Sequence, residues 1–540
     1  MDTKVIKKHK KGKQKKPKPI NKRITPLIRM ERPLRLVSPH NYPTNTFSKK
    51  RVSSSTPFNS LEQRRQVYPK NLSPQKNDIK FIGKFESGNL DSVFTRGDFA
   101  YEIHISPDPK HTAQWFYFKA ENINPGKYTF IITGFHRDTG IHHHGVTPVA
   151  LSVTDKKRGI GWKRIDSDIN YWLSISGRPR EYTMSFDFTV KKPDSIYFAY
   201  TYPYNYTDLN EFLKSLPNYV KITNILTSAG KLNVPMIFWD ADKQKSYELP
   251  EKFKEIHHGK KPLIVIAARH HPGETCSSYA MEGFLEKLFN KMDPEATDIR
   301  NEYSFLIIPM VNVDGVVCGF YRPGLDGIDY NRVWKKKTKT QLGNSILSLL
   351  DALTETRKLV FFLDFHGHAG LFNAFTYTVK NRRIPLTDLA SLFPRFMSKA
   401  CPYFSSTSSY TLGPKAYDRT MRVALHHRYS VPFSYTLEMS IGGSTLTKTH
   451  NQFTPNEYRE IGEATLTSMV QLLLNHREIK KQLLGIASPP KSNLQRDFAS
   501  FSDFRIKRAK KIDEKIHEHR RRLKPRSANT SDVDDYDMEN

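Results

Sequence analysis

The sequence predicts an α/β domain with a central mixed or parallel sheet and flanking helices, preceded by an antiparallel β-sandwich. Three observations carry this. Short aromatic and β-branched runs separated by turn residues fill residues 79–208. Apolar strand-like runs alternate with helical periodicity over 209–485. Both ends are charged: 1–78 shows neither hydrophobic period, and 486–540 reads as a mobile tail with a basic helical stretch.

In the first globular region "QWFYFKA", "YTFIITGF", "PVALSVT", "YTMSFDFTV" and "SIYFAYTY" read as strands. In the second, "PLIVIAA", "YSFLIIPMV" and "KLVFFLDF" read as buried strands, and "TCSSYAMEGFLEKLFNKM", "NSILSLLDALTETRK" and "TPNEYREIGEATLTSMVQLLLNHREIKKQLL" as helices.

The formal charge is +31, and residues 1–80 hold 22 Lys/Arg against 4 Asp/Glu, which places 18 of that excess in the leading arm. Such an arm reads as disordered and attracts polyanions; its opening has no apolar stretch of the kind that makes a secretory signal. The tail "RIKRAKKIDEKIHEHRRRLKPR" ends in the acidic "SDVDDYDMEN". No apolar run reaches the roughly 18 residues that a spanning helix needs, so no membrane insertion is expected. Three widely spaced cysteines, Cys276, Cys318 and Cys401, cannot build a disulfide framework or a four-cysteine zinc site, which favours a reducing compartment.

The chemistry concentrates just past the strand "PLIVIAA". His271 and Glu274 flank a tight Pro272-Gly273 turn, so an imidazole and a carboxylate can converge at a strand's carboxyl end. A catalytic zinc typically takes three protein ligands from His and carboxylate. "KLVFFLDFHGHAG" offers His366 in the same topological position. Glu438, at the end of the strand "SYTLE", is an acid facing a core, costly there unless it has a task; general base is that task. In "GFYRPGLDGIDYNRVW", Asn331 and Arg332 suit the bidentate holding of a carboxylate, and Arg322 suits an oxyanion. A metal hydrolase with a carboxylate clamp reads as an exopeptidase. "GIHHHGV" at 140–146 is rejected as a metal site, because three consecutive histidines diverge on a loop. His368 reads as a partner of the metal ligands or as packed.

At "HPGET", "PMVNVDGVVCGFYRPGLDGIDYNRVW", "DFHGH" and "SYTLEMSIGG" the sequence resembles the cytosolic carboxypeptidase branch of the zinc metallocarboxypeptidases, and "FESGNL", "QWFYF" and "AYTYPYNYTDL" resemble that branch's N-terminal domain. The resemblance covers roughly 80–480. It implies a carboxypeptidase-like fold and one zinc held by His271, Glu274 and His366. Glu438 would be general base, Asn331 and Arg332 the clamp for the terminal carboxylate, and Arg322 the transition-state donor. It further implies removal of C-terminal or side-chain-linked glutamates from acidic protein tails, tubulin foremost, by a monomeric cytoplasmic protein, with microtubule or cilium association open.

A glutamate pocket needs a cation, and "GPKAYDRTMRVAL", read as a basic strand region, offers Lys415, Arg419 and Arg422, with Arg422 at the position of the family's pocket arginine. Two departures stand out: Val313 where the family has proline, and "AGLFNAF" where it has a basic stretch. Other readings are a carboxypeptidase of different end specificity and a noncatalytic microtubule- or polyanion-binding protein. No phosphate-cradling glycine loop or base-stacking platform points to specific nucleic-acid binding.

Overall fold

The computed structural model describes residues 64–475, apart from 138–139, 175–180, 248–258, 335–337, 380–389, 409, 413–418 and 448–450, together with the residue pair 45–46. Most of the leading arm, the tail from 486 and Lys415 lie outside the described residues.

The first domain is a sandwich of a six-stranded and a five-stranded sheet among the described residues. Phe118 and Phe198 from one sheet meet Phe130 and Phe186 from the other, with Phe130 5.0 Å from Phe198 and 5.7 Å from Phe186. Alternation along each strand points these rings inward, and the aromatic bulk supplies the core. Two expectations change here. The sandwich is not wholly antiparallel, because Ala100–His104 runs parallel to Gly126–Phe135. It also begins before 79. Gln66–Tyr68 pairs with Ser92–Thr95, and Arg65 is locked to Asp78 by two hydrogen bonds of 2.8 and 2.5 Å. Within the expected disordered arm, Asn45–Thr46 pairs with Asn451–Gln452.

The second domain is built on a sheet whose strands we number β1 (Ile222–Thr227), β2 (Asn233–Asp240), β3 (Lys245–Tyr247), β4 (Leu263–Ala268), β5 (Ser304–Ile308), β6 (Leu359–His368), β7 (Ala374–Val379), β8 (Tyr410–Leu412) and β9 (Phe433–Ser440). Their lateral order is β1-β2-β5-β4-β6-β9-β7-β8, with β3 on β2. β5, β4, β6 and β9 run parallel to their neighbours, and β2 and β7 flank them antiparallel, so the sheet is mixed. Every residue of the four parallel strands is buried, which is why β4 appears as an unbroken apolar run; β9 is covered on both faces even though its sequence alternates apolar and polar residues. The helices of this domain include α1 (Cys276–Leu288), α2 (Gln341–Thr354), α3 (Met421–Tyr429) and α4 (Pro455–Val470). Proline at its first position and a capping box, Thr454 with Glu457, fix where α4 begins. The expected basic strand carrying Arg422 is instead the helix α3.

The chain leaves β4, adds β5 on one side and later β6 on the other. Strand order therefore reverses at β4, the position at which sheets of this kind form a ligand crevice beyond the carboxyl ends of their strands, here β4 and β6.

The two domains share hydrogen bonds near that crevice. Ile141 N–H donates to the Ala369 carbonyl at 2.7 Å, Arg164 Nη2 to Ile441 O at 2.8 Å, and Tyr279 Oη to Pro203 O at 2.7 Å.

In the sandwich, Glu102 accepts from Arg64 at 3.1 Å and from Arg96, with His104 Nε2 2.5 Å away. Burial alone would raise its pKa, but the bonds from His104 and Arg96 outweigh it and hold the carboxyl at about 2. A depressed folded-state pKa contributes stability above the ordinary carboxylate range and loses it as pH falls towards the folded value. Glu102→Gln is expected to lower stability by roughly 1–3 kcal/mol near neutral pH. Thermal unfolding of the two proteins at decreasing pH should show the difference shrinking below about pH 4 and vanishing near 2.

Candidate metal centre and active site

The loop after β4 is held by Arg269. This residue takes φ +60° to turn the chain, and its buried guanidinium donates to Pro272 O at 2.8 Å, Ser278 Oγ at 2.8 Å and Tyr204 O at 3.1 Å. Gly273 N–H donates to Tyr321 O at 2.7 Å, and a Cβ at this glycine would stand 2.3 Å from the Tyr321 ring, so only glycine permits the approach. The turn closes with Glu274 N–H on His271 O at 3.2 Å, which sets the two side chains side by side.

His271 Nδ1 lies 2.7 Å from Glu274 Oε1, His366 Nδ1 2.9 Å from Glu274 Oε2, and the two Nδ1 atoms are 3.2 Å apart. Gly367 N–H donates to Glu274 Oε2 at 2.9 Å, and a Cβ there would stand 2.5 Å from Cys276 Sγ. The other nitrogen of each ring is fixed by a second carboxylate. His271 Nε2 is 3.2 Å from Asp329 Oδ1, and His366 Nε2 is 2.6 Å from Asp364 Oδ2. Burial works against charge on Glu274, Asp329 and Asp364, yet the imidazoles, and Arg322 beside Asp329, keep all three well below the usual carboxylate range. Burial likewise opposes a charged His366, but Asp364 and Glu274 outweigh it and raise its pKa well above the ordinary value.

These residues fit zinc. Two imidazole nitrogens and a carboxylate form the donor set of a catalytic zinc, and the carboxylates on the far nitrogens orient the rings and make them better donors. The buried negative charge of the cluster calls for a cation. A second group of possible ligands, His270, Asp364 and His366, shares His366, whose Nε2 faces Asp364 at hydrogen-bonding distance.

Glu438 stands in register with His366 on the neighbouring parallel strand, so the two side chains leave the same face of the sheet; Glu438 is 5% exposed. Arg322 Nε donates to Asp329 Oδ2 at 2.7 Å, which joins this guanidinium through one carboxylate to His271. Arg322 Nη1 is buried and has no hydrogen-bond partner among the described residues. Asn331 is buried, with Nδ2 3.2 Å from His366 Nε2 and Oδ1 accepting from Met421 N–H at 3.0 Å; Arg332 beside it is half-buried.

Arg422, 1% exposed on α3, donates from Nη1 to Thr436 Oγ1 at 2.6 Å and lies 5.6 Å over the Tyr377 ring. Thr436 pairs with Asp364 and with Tyr377, one same-face step below Glu438, so this guanidinium sits under the row that holds His366 and Glu438. Arg419 is exposed. The structure therefore gathers His271, Glu274, His366, Glu438, Arg322, Asn331 and Arg422 towards one end of the sheet, while Lys415 lies outside the described residues.

His368 is not a ligand among the described residues; its Nδ1 accepts from Gly370 and Leu371 N–H at 3.1 and 2.8 Å. The histidines of "GIHHHGV" form no metal group among the described residues, and His142 instead hydrogen-bonds Val146 O and packs on Tyr200. Sequence reasoning missed Asp329, Asp364, His270 and Arg269. A signal existed for the first two: each lies two residues before a named site residue, Asn331 and His366.

Two family models match the chain: "Zinc carboxypeptidase" over residues 206–468 and "Cytosolic carboxypeptidase N-terminal domain" over 81–201. Cytosolic carboxypeptidase 2 of Xenopus tropicalis is 33% identical over 421 residues, 74% of this chain and 42% of the relative. Cytosolic carboxypeptidase 3 of Bos taurus is 32% identical over 387 residues, 68% of this chain and 37% of the relative. The chain thus spans about two fifths of the length of these relatives. Among solved structures, a metallo-carboxypeptidase from Burkholderia cenocepacia superposes with a TM-score of 0.59 at 21% identity, covering 73% of this chain and 99% of the other. One from Pseudomonas aeruginosa gives 0.58 at 19%, covering 73% and 98%. At such identities the likeness shows the carboxypeptidase fold. With both domain models matched in order and the metal group assembled, the chain belongs to the cytosolic carboxypeptidase branch of the zinc metallocarboxypeptidases.

Proposed function

We propose that this chain is a zinc-dependent carboxypeptidase that removes C-terminal or side-chain-linked glutamates from acidic protein tails such as polyglutamylated tubulin. The observation that carries the reading is the convergence of His271 Nδ1, His366 Nδ1 and both oxygens of Glu274, with Glu438 in register beside them. His271, Glu274 and His366 would hold the zinc, which when bound supplies a Lewis acid for the scissile carbonyl and for water.

Glu438 takes the proton from the attacking water and returns it to the leaving amine. Its nearly buried position on a fixed strand favours that exchange over loss to bulk solvent. Arg322 offers its unpartnered Nη1 to the developing oxyanion, with Asp329 holding its Nε. Asn331 and Arg332 fix the terminal carboxylate, which makes the enzyme an exopeptidase. Arg422, buried beneath Glu438, provides the cation against which a glutamate side chain is read. The surplus of 18 positive charges in residues 1–80 draws the protein towards acidic polypeptides.

Synthetic tails ending in α-linked or γ-linked glutamates, incubated with the protein and weighed by mass spectrometry, test the reading. Loss of glutamate mass that stops on zinc chelation is expected. Loss that persists without zinc, or none from either tail, overturns it. A leucine-ended peptide cut as fast as a glutamate-ended one would leave the carboxypeptidase and remove the glutamate specificity.

Glu438→Gln should lower kcat by about 100- to 10,000-fold while zinc content stays unchanged. Asp329→Ala should weaken zinc binding by roughly 10- to 100-fold in a competition titration against a chromophoric chelator.

A further inference from the structure

His270, adjacent to a metal ligand and fully buried, has no part in the roles assigned above. Its Nδ1 lies 2.9 Å from Asp364 Oδ1, while Asp364 Oδ2 faces His366 Nε2 at 2.6 Å. One carboxylate therefore joins two imidazoles, an oxygen to each. The rings lie nearly parallel, 5.7 Å apart at 10°, and the edge of His270 faces Trp334 at 5.8 Å. His270 Nε2 is buried without a hydrogen-bond partner, so the bond to Asp364 is the one polar contact of this ring among the described residues. Since a carboxylate only accepts, that bond places the proton of His270 on Nδ1.

The backbone explains the juxtaposition. Asp364 and His366 project from the same face of β6, and β6 pairs with β4 through Ala267 and Asp364. Two residues past the end of β4, His270 reaches the second oxygen of the carboxylate, its ring stacked alongside that of His366. With only the bond to His366, the Asp364 carboxylate could rotate about its Cβ–Cγ bond. With both oxygens engaged, its plane is set, and with it the ring that offers Nδ1 to the metal.

We propose that His270 is a positioning residue of the metal centre: its Nδ1–H fixes Asp364, and Asp364 in turn fixes the orientation of the His366 imidazole. The inference rests on the zinc reading of His271, Glu274 and His366.

The test uses the full chain as wild type, His270→Leu, His270→Asn and His270→Gln, each stripped of metal and titrated with zinc against a chromophoric chelator. Metal content is measured by atomic emission, and circular dichroism of the zinc-free proteins reports folding. Asparagine places its amide nitrogen where Nδ1 stands; glutamine places it where Nε2 stands; leucine keeps the bulk and offers no donor.

Wild type should bind one zinc. His270→Leu and His270→Gln should bind it roughly 10- to 100-fold more weakly, and His270→Asn should recover most of that loss. A role in packing alone would favour leucine over asparagine. Leucine binding as tightly as wild type, or asparagine no better than glutamine, overturns the proposal. If the leucine variant fails to fold, the comparison of asparagine with glutamine decides. A second zinc bound by wild type and lost from His270→Leu also overturns it, because His270, Asp364 and His366 would then be ligands. A wild-type chain that binds no zinc removes the underlying reading as well, an outcome distinct from tight zinc binding that is indifferent to residue 270.

Discussion

Buried negative charge that must be balanced is the constraint around which this protein is organised. Glu274, Asp329 and Asp364 are each 5% exposed or less, and they stand within hydrogen-bonding distance of three imidazoles, those of His270, His271 and His366. An isolated carboxylate in such a place would neutralise itself by taking up a proton. Here the imidazoles and Arg322 keep the carboxyls ionised, and the cluster presents three convergent donors to a cation. Much of the surrounding architecture serves to keep these groups from relaxing apart: the left-handed turn at Arg269, the close approaches at Gly273 and Gly367, and the paired register of β6 and β9.

The sheet sets where this can happen. Parallel strands direct their carboxyl ends to one edge, and reversal of strand order at β4 leaves room there for side chains from two strands that lie far apart in sequence. β6 gives His366 and Asp364 from one face, β9 gives Glu438 beside them, and the loops after β4 and β5 deliver the rest. Arg422 enters from a helix, separate from the strand ends and loop that carry the metal ligands.

What could be read from the sequence follows the same logic. His271, Glu274 and His366 were legible because each sits at or just past the end of a strongly apolar run, and such runs mark buried parallel strands. Asp364 was equally available, two residues before His366 on one strand face, but an acid inside "FFLDF" has meaning only once its partners His270 and His366 are known to converge. The helix carrying Arg422 was misread because "MRVALHHRY" mixes cationic and apolar residues without a clean helical stripe, and burial of the arginine against Thr436 and Tyr377 is decided by tertiary contacts. Three-residue edge strands such as Gln66–Tyr68, and the parallel pair inside the sandwich, are likewise fixed by pairing rather than by local preference.

Arg164 of the sandwich reaches across to the carbonyl of Ile441, three residues beyond Glu438, while also binding Thr147 O at 2.7 Å and lying 5.0 Å over the Tyr202 ring. The segment that ends the β9 strand is thus anchored by a side chain encoded some 280 positions earlier. Modularity in the gene and modularity in the folded object then part company: residues 206–468 can be recognised as a unit, yet the loop that follows β9 in that unit takes a buried hydrogen bond from the companion domain. Any exchange of sandwiches among relatives would have to carry this arginine and its tyrosine shelf with it to keep the loop after β9 anchored.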